Sequence, residues 1–350
     1  MHRIAPTLLL ALVANTALAA DQPPLYATYK DWLIGCDNTR TCTAIGAVQQ
    51  RDDTGHATFS LRITREAGPE GALRIGVFDS NPAKGPPSLD GKPLKATFGP
   101  GQLNEGEVPE QFAATGAQAL ALVRELRDGH NLVLPTQEGE AFASLAGMSA
   151  ALLQMDAVQG RVGTQTALAR PGDNPASSVP LAPVAPEPPT WQAPAPMSEA
   201  TAQRIGEAAI AATREDWKQT LDDDSPAQAQ AYALNASQAL VLIKTGCAAY
   251  NCTYSLYQTP LAHPEQARRI ELPQPVPVDD DMPGGDFRFD PASGELTSEF
   301  MAMGMGGCGT SIRWRFDGSG FALVDARQMS ACMGLAQAYW PVLWRTSPSR

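Results

Sequence analysis

WLIGCDNTRTCTAIG, residues Trp32 to Gly46, reads as a strand, a tight reversal and a returning strand. Asp37, Asn38 and Thr39 are turn formers, and Cys36 and Cys42 stand at the two ends of the reversal. The same order recurs downstream, where Ala239–Lys244 and Thr253–Gln258 flank Cys247 and Cys252. The clearest hairpin is Ile312–Phe316, the turn Asp317-Gly-Ser-Gly320, and Phe321–Val324. There Ile312, Trp314 and Phe316 face one way, joined by Phe321 and Leu323.

Further strands are expected at Thr58–Thr64, where Phe59, Leu61 and Ile63 alternate with polar residues, and at Ala72–Phe78. Asn131–Leu134, Asp286–Asp290 and Leu296–Met301 complete the strand set, and Asp90-Gly91 signals one more hairpin. Helical spacing is confined to three places. Ala117–Leu126 places Leu120, Val123 and Leu126 on one side, and Ser144–Ala157 does so with Leu145, Met148, Leu152 and Met155. Ser198–Leu221 opens on a capping serine and carries Ile205, Ala208, Ala209, Ala212 and Trp217. The fold class expected is therefore α+β: two mostly antiparallel β domains with a few helices, joined by a proline-rich linker and stapled by disulfides.

The first residues are read as targeting sequence. His2 and Arg3 precede the apolar run Thr7–Val13, and Ala17-Leu18-Ala19 is a small-residue cleavage pattern, giving a signal peptide over 1–19. The run is short of the ~20 residues a membrane span needs. About 330 remaining residues suit two domains. Residues 171–198, PGDNPASSVPLAPVAPEPPTWQAPAPMS, supply the boundary between an N-terminal β-rich domain over 24–170 and a C-terminal α+β domain over 199–350. Proline gives no backbone donor and fixes φ, so this stretch is expected as an extended spacer that holds the halves apart. Trp191, its one aromatic residue, is expected to dock on a neighbouring domain.

Six cysteines in an exported chain read as a disulfide framework. They fall as Cys36/Cys42, Cys247/Cys252 and Cys308/Cys332, with five, four and 23 residues between partners. Pairing by proximity closes two small loops worth ~2 kcal/mol each and one larger loop worth ~3–4 kcal/mol on the chain-entropy model. Six cysteines admit about 15 connectivities, so proximity ranks them without deciding. No Cys-x-x-Cys spacing suited to redox or metal chemistry occurs.

The net charge of −11 argues against nucleic acid and anionic membrane surfaces as partners, and no membrane insertion is expected after signal cleavage. Met301, Met303 and Met305 are soft ligands that would point one way at strand spacing, a weak copper(I) candidate set against an apolar strand entering the glycine-rich run Gly304–Gly309. That run lacks the lysine and context of a phosphate loop. Asp222–Asp224 and Asp279–Asp281 lack the alternating spacing of a calcium loop. His56, His130 and His263 sit in no Ser-His or Cys-His signature, and no Gly-x-Ser-x-Gly occurs. Asn235 and Asn251 open glycosylation-type triplets of little weight in an export context of bacterial character. Tyr250, Tyr254, Tyr257, Trp340 and Trp344 are the aromatics best placed for contact with a partner, or else core residues.

Lys30-Asp31-Trp32, Cys36-Asp37-Asn38 and Cys42-x-Ala44 resemble the opening of the domain of unknown function 1176 family, uncharacterised secreted bacterial proteins. Gly304-x-Gly306-x-Cys308-Gly309, Trp314-x-Phe316-Asp317-Gly318, Phe321-x-Leu323, Cys332-x-Gly334 and Trp340-Pro341-x-x-Trp344-Arg345-Thr346 resemble its C-terminal half. The N-terminal half is also similar in layout to the invasion-associated locus B proteins, through the early Trp, the Cys loop and the late Ser144-Leu-Ala-Gly-Met148 segment. The resemblance implies a periplasmic or envelope location and carries no catalytic residues with it. The proline stretch looks like an insertion between the halves. The expectation is a non-enzymatic periplasmic binding or interaction protein without cofactor, whose partner is an unidentified envelope protein or ligand. The alternatives are an inhibitor of a secreted or host enzyme such as lysozyme, its acidic charge suiting a basic target, and copper handling through the three methionines; a cell-wall hydrolase ranks last.

Overall fold

The computed structural model describes residues 23–47, 59–102, 108–221, 226–276, 285–304 and 307–348. The signal segment, His56, both aspartate runs, Met305 and Gly306 lie outside them.

In the N-terminal half the chain runs through β1 (Leu25–Tyr29), β2 (Trp32–Cys36), β3 (Cys42–Ala47), β4 (Phe59–Arg65), β5 (Leu73–Asp79), β6 (Ser88–Leu89), β7 (Lys92–Pro93), β8 (Gly99–Pro100) and β9 (Glu110–Thr115). Helix α1 (Gly116–Leu126), the strands β10 (Asn131–Thr136) and β11 (Gly139–Ser144), and helix α2 (Met148–Val158) follow. A seven-stranded antiparallel sheet has the order β1-β2-β3-β4-β5-β9-β8, and β11-β10-β6-β7 form a second, smaller sheet. The Asp90-Gly91 reversal joins β6 to β7 with both residues at positive φ, 50° and 75°.

Strand period decides which side chains leave water. Phe59, Leu61 and Ile63 of β4 and Leu73, Ile75 and Val77 of β5 point to one face, where Leu122, Val123 and Leu126 of α1 and Met148, Leu152 and Met155 of α2 cover them. Fully burying each such side chain contributes about 1.5–3 kcal/mol. Trp32 sits in this core without exposure, its indole N–H donating to the Ser144 carbonyl at 3.0 Å. The expected helix from Ser144 begins instead at Met148. Ser144 ends β11, and Gly147 turns the chain at φ 100°, where a Cβ would stand 1.8 Å from the Tyr29 carbonyl oxygen. Only glycine tolerates that approach.

The C-terminal half begins with α3 (Glu199–Trp217), whose cap Ser198 accepts from the Thr201 N–H at 3.2 Å. It ends at Trp217, and a short 3₁₀ turn over Lys218–Thr220 takes up the rest of the helix expected to Leu221. The strands are β12 (Gln228–Ala233), β13 (Gln238–Cys247), β14 (Cys252–Pro260), β15 (Arg268–Arg269), β16 (Asp286–Asp290), β17 (Glu295–Met301), β18 (Gly309–Phe316), β19 (Phe321–Met329) and β20 (Val342–Arg345). They make two antiparallel meanders, β12 to β15 and β16 to β20. Trp314, Phe316, Phe321 and Leu323 pack with Leu240, Leu242, Phe287 and Phe289 between them, and α3 covers the outer face of the first meander through Ile205, Ala209 and Trp217.

A third core joins the halves. Leu33, Ile45 and Phe78, on the sheet face turned away from α1 and α2, pack with Met329, Met333, Leu335 and Trp340. The Asn38 side chain and the Arg345 backbone exchange two hydrogen bonds of 3.0 and 2.9 Å, and Arg62 donates to the Tyr339 carbonyl at 2.8 Å. The expectation that the prolines hold the halves apart is therefore corrected. A sheet apolar on both faces needs a cover on each, and the C-terminal half supplies the second. Within 171–198 only Ala176–Ser178 forms a turn of helix; the rest is a strap whose carbonyls, free of internal bonds, accept from its neighbours. Pro186 accepts from the Ser347 N–H at 2.9 Å and Pro189 from Arg315 at 3.1 Å. Trp191 sets its ring edge-to-face on Phe289 and Phe316 and donates to the Pro291 carbonyl at 3.1 Å.

Candidate functional site

The disulfides join Cys36 to Cys42, Cys247 to Cys252 and Cys308 to Cys332. The first closes the β2–β3 reversal inside the N-terminal core and the second ties the β13–β14 hairpin at its outer end. The third lies in the shared core, with Cys308 unexposed. All are structural in position.

The sequence-derived candidates do not gather at one place. β17 ends at Met301, which is exposed, while Met303 turns onto the shared core, so strand spacing does not carry these two in one direction; Met305 lies outside the described residues. Tyr257 is unexposed with its hydroxyl 3.3 Å from Asp216, and Trp340 is buried with its indole donating to the Leu335 carbonyl. Tyr254 and Trp344 are half-buried against the second core. Tyr250 alone of the five is exposed. His130 and His263 are exposed and lie against Asp90 and Glu265.

A concavity lies elsewhere, at the end of the large sheet where β4 turns into β5 and β9 passes into α1. It has a volume of about 530 Å³. Arg62, Arg65 and Arg74 line it with Thr64, Thr115 and Thr166, and Pro69, Ala72, Ala117 and Leu120 give it an apolar side. Glu66 and Glu70 are exposed at its rim.

Register explains the arginines. Arg62 and Arg74 occupy the phase of β4 and β5 that faces the C-terminal half, near Glu110. Arg74 forms an ion pair with Glu110, which is 2% exposed and also accepts from the Gln102 N–H. Burial pushes the Arg62 guanidinium down to about 10, with Glu110 opposing and Arg74 adding to the shift. Arg62 also lies 5.6 Å from the Tyr339 ring centroid, a cation–π contact.

Arg65 differs. It continues the Phe59, Leu61, Ile63 phase, so the strand period drives a cation toward the core. It is 5% exposed, and its side chain makes no hydrogen bond or ion pair with any described residue. Burial pushes its guanidinium down to about 10; Arg161 and Arg124 add to this and Asp156 opposes it. Those neighbours are occupied. Arg161 donates to Gln159, Thr166 and the carbonyls of Glu66 and Gly68, Arg124 to the carbonyls of Gln165 and Ala167, and Asp156 accepts from the N–H groups of Leu168 and Ala169. An uncompensated buried charge costs several kcal/mol. Across the cleft α1 begins at Gly116 with no side-chain cap and no acid in its first turn, leaving the positive end of its dipole unanswered.

This arrangement defines a class: a disulfide-stapled, mostly antiparallel β protein with an arginine-lined cleft at one sheet end. The chain belongs to the family described as protein of unknown function DUF1176, whose model matches residues 26–347. It is 28% identical over 336 residues to the uncharacterised protein YpfG of Escherichia coli K12, covering 92% of this chain and 93% of that one. The crystal structure of invasion associated protein B from Bartonella henselae matches 39% of this chain and 99% of its own, at 20% identity and a TM-score of 0.24. No described helix is long and apolar enough to cross a membrane.

Sequence reasoning missed the cleft. One signal was available: an arginine at the inward phase of an otherwise apolar alternation, Phe59, Leu61, Ile63, Arg65.

Proposed function

We propose that this is an exported periplasmic binding protein, not an enzyme, and that the cleft beside Arg65 takes its ligand. The carrying observation is the cleft itself: a concavity of about 530 Å³ combining an apolar side with a few convergent polar groups, as small-molecule sites do. Its lining offers threonine hydroxyls, guanidinium groups and rim carboxylates, and neither described histidine reaches it. Three disulfides suit an oxidising compartment, and the N-terminal segment read as a signal peptide gives the route there.

Hydrogen exchange tests this reading. The mature protein is incubated with the low-molecular-weight fraction of a cell-envelope extract. Slowed exchange is expected over residues 64–74 and 115–120. No slowing there, or slowing confined to another surface, overturns the assignment.

A further inference from the structure

We propose that the cleft binds a small molecule through an oxyanion head group, carboxylate or phosphate, seated between Arg65 and the N-terminus of α1. The proposal deepens the binding reading above and rests on it. The first argument is charge. Arg65 is 95% removed from water by its 5% exposure, it lines the cleft, and no described group pairs with it. Its immediate surroundings hold two more guanidiniums, Arg124 and Arg161, against one carboxylate, Asp156. The oxygens of Asp156 accept the backbone N–H groups of Leu168 and Ala169 and none from Arg65, and this set carries an excess of positive charge.

The second argument is independent of the side chains. Helix α1 is 11 residues long and its N-terminal residues Gly116 and Ala117 line the same cleft. Thr115 contributes no capping bond, and the first turn has no acid. A helix start in this state favours an anion through its free N–H groups and its dipole. A buried guanidinium and an uncapped helix start on one cavity form a two-sided seat for an oxyanion, with the fork geometry that arginine offers to carboxylate and phosphate.

The cavity exceeds what the head group alone fills. Pro69, Ala72 and Leu120 line the remainder, so the molecule extends as an apolar body away from Arg65. Hexanoate should therefore bind more tightly than acetate, and hexyl phosphate more tightly than inorganic phosphate. Hexanol and hexylammonium, which have the body without the anion, should not bind.

The test is calorimetry and thermal unfolding of the full mature protein with these six compounds at fixed ionic strength. Hexanoate or hexyl phosphate is expected to raise Tm, and Arg65→Met to weaken binding at least tenfold. In buffer free of carboxylate and phosphate, with chloride as the counter-ion, Arg65→Met should itself raise Tm, since an apolar isostere replaces an unpaired buried charge. Ala117→Glu serves as a second variant at an exposed position. It places a carboxylate in the first turn of α1, and it should raise Tm without ligand and suppress binding of the added anions. The ratio of hexanoate to hexyl phosphate affinity tells which head group the seat prefers. If neither anion binds, or both bind Arg65→Met and Ala117→Glu as well as the wild type, the oxyanion proposal is overturned. Should the envelope fraction still slow exchange at 64–74 and 115–120 in that case, the cleft remains the ligand site and only the ligand class is wrong.

Discussion

Asp79 is a buried acid in the wrong state at neutral pH. It closes β5 with no exposure; its Oδ1 accepts from the Asn81 N–H at 2.8 Å, and its Oδ2 has no partner among the described residues. Burial raises its pKa from 3.8 to about 6, with Glu138 adding to the rise and the Asn81 bond opposing it. A folded-state value above the unfolded one means that the native protein holds the proton more tightly. The associated stability is full below the unfolded value and is lost as pH rises through about 6. At pH 7 the penalty of ionising Asp79 is ~3 kcal/mol, of which ~1.3 kcal/mol is recovered on acidifying to pH 5. Replacing Asp79 by Asn keeps the acceptor for Asn81 and removes the charge. Its amide N–H groups then lack partners, which costs ~1–2 kcal/mol. The net expectation is a protein more stable than wild type by ~1–2 kcal/mol at pH 7–8, with the advantage shrinking toward pH 5. Urea denaturation of both proteins at pH 5, 6, 7 and 8 measures it. Parallel pH dependences for wild type and Asp79→Asn would refute the assignment of a displaced proton to Asp79.

Gly147→Ala should destabilise by ~2 kcal/mol or more, because φ is 100° and a Cβ would meet the Tyr29 carbonyl oxygen; chemical denaturation reads it directly. Trp191→Ala should cost ~2–3 kcal/mol by removing an aromatic anchor from Phe289 and Phe316. The same variant should open residues 171–198 to limited proteolysis ahead of either half, and a strap as resistant as the wild type would contradict the docking described. Cys308→Ala with Cys332→Ala closes no loop of 24 residues and should lower stability by ~3–4 kcal/mol. Because that bridge lies in the shared core, the loss should appear in both halves by hydrogen exchange, not in the C-terminal half alone.

Much of the fold was legible because local rules and tertiary packing agreed. The hairpin at Ile312–Val324 pairs as its alternation requires, with a bulge at Arg313/Trp314 that the pattern does not show. Helix α1 and the apolar face of α2 lie where their spacing puts them, and Ser198 caps α3. What escaped has local causes. β1 and β12 are edge strands with weak alternation, and β9 begins on Glu110, a charge that its ion pair with Arg74 makes tolerable inside. The start of α2 depends on a backbone approach between Gly147 and Tyr29, 118 positions apart in the chain, which no window of sequence contains. The proline strap was expected as a spacer because its composition forbids regular structure, yet the same composition leaves carbonyls free to accept from Arg315 and Ser347.

The cleft was illegible for a different reason. Its polar groups come from β4, the β4–β5 turn, β5, the start of α1 and the loop at Thr166, and no motif has that spacing. Sequence reading looks for chemistry in clusters, and here the informative residue is solitary. Arg65 stands out only through its phase: three apolar residues at alternate positions commit the fourth to the same face, whatever its charge. A strand that places a cation inward and offers it no acceptor is locally unfavourable, and such conflicts concentrate where a site needs them. On the binding reading proposed above, the conflict at Arg65 is what marks the cleft out from the core, because Arg161, itself unexposed, has partners for its donors and reads as structure.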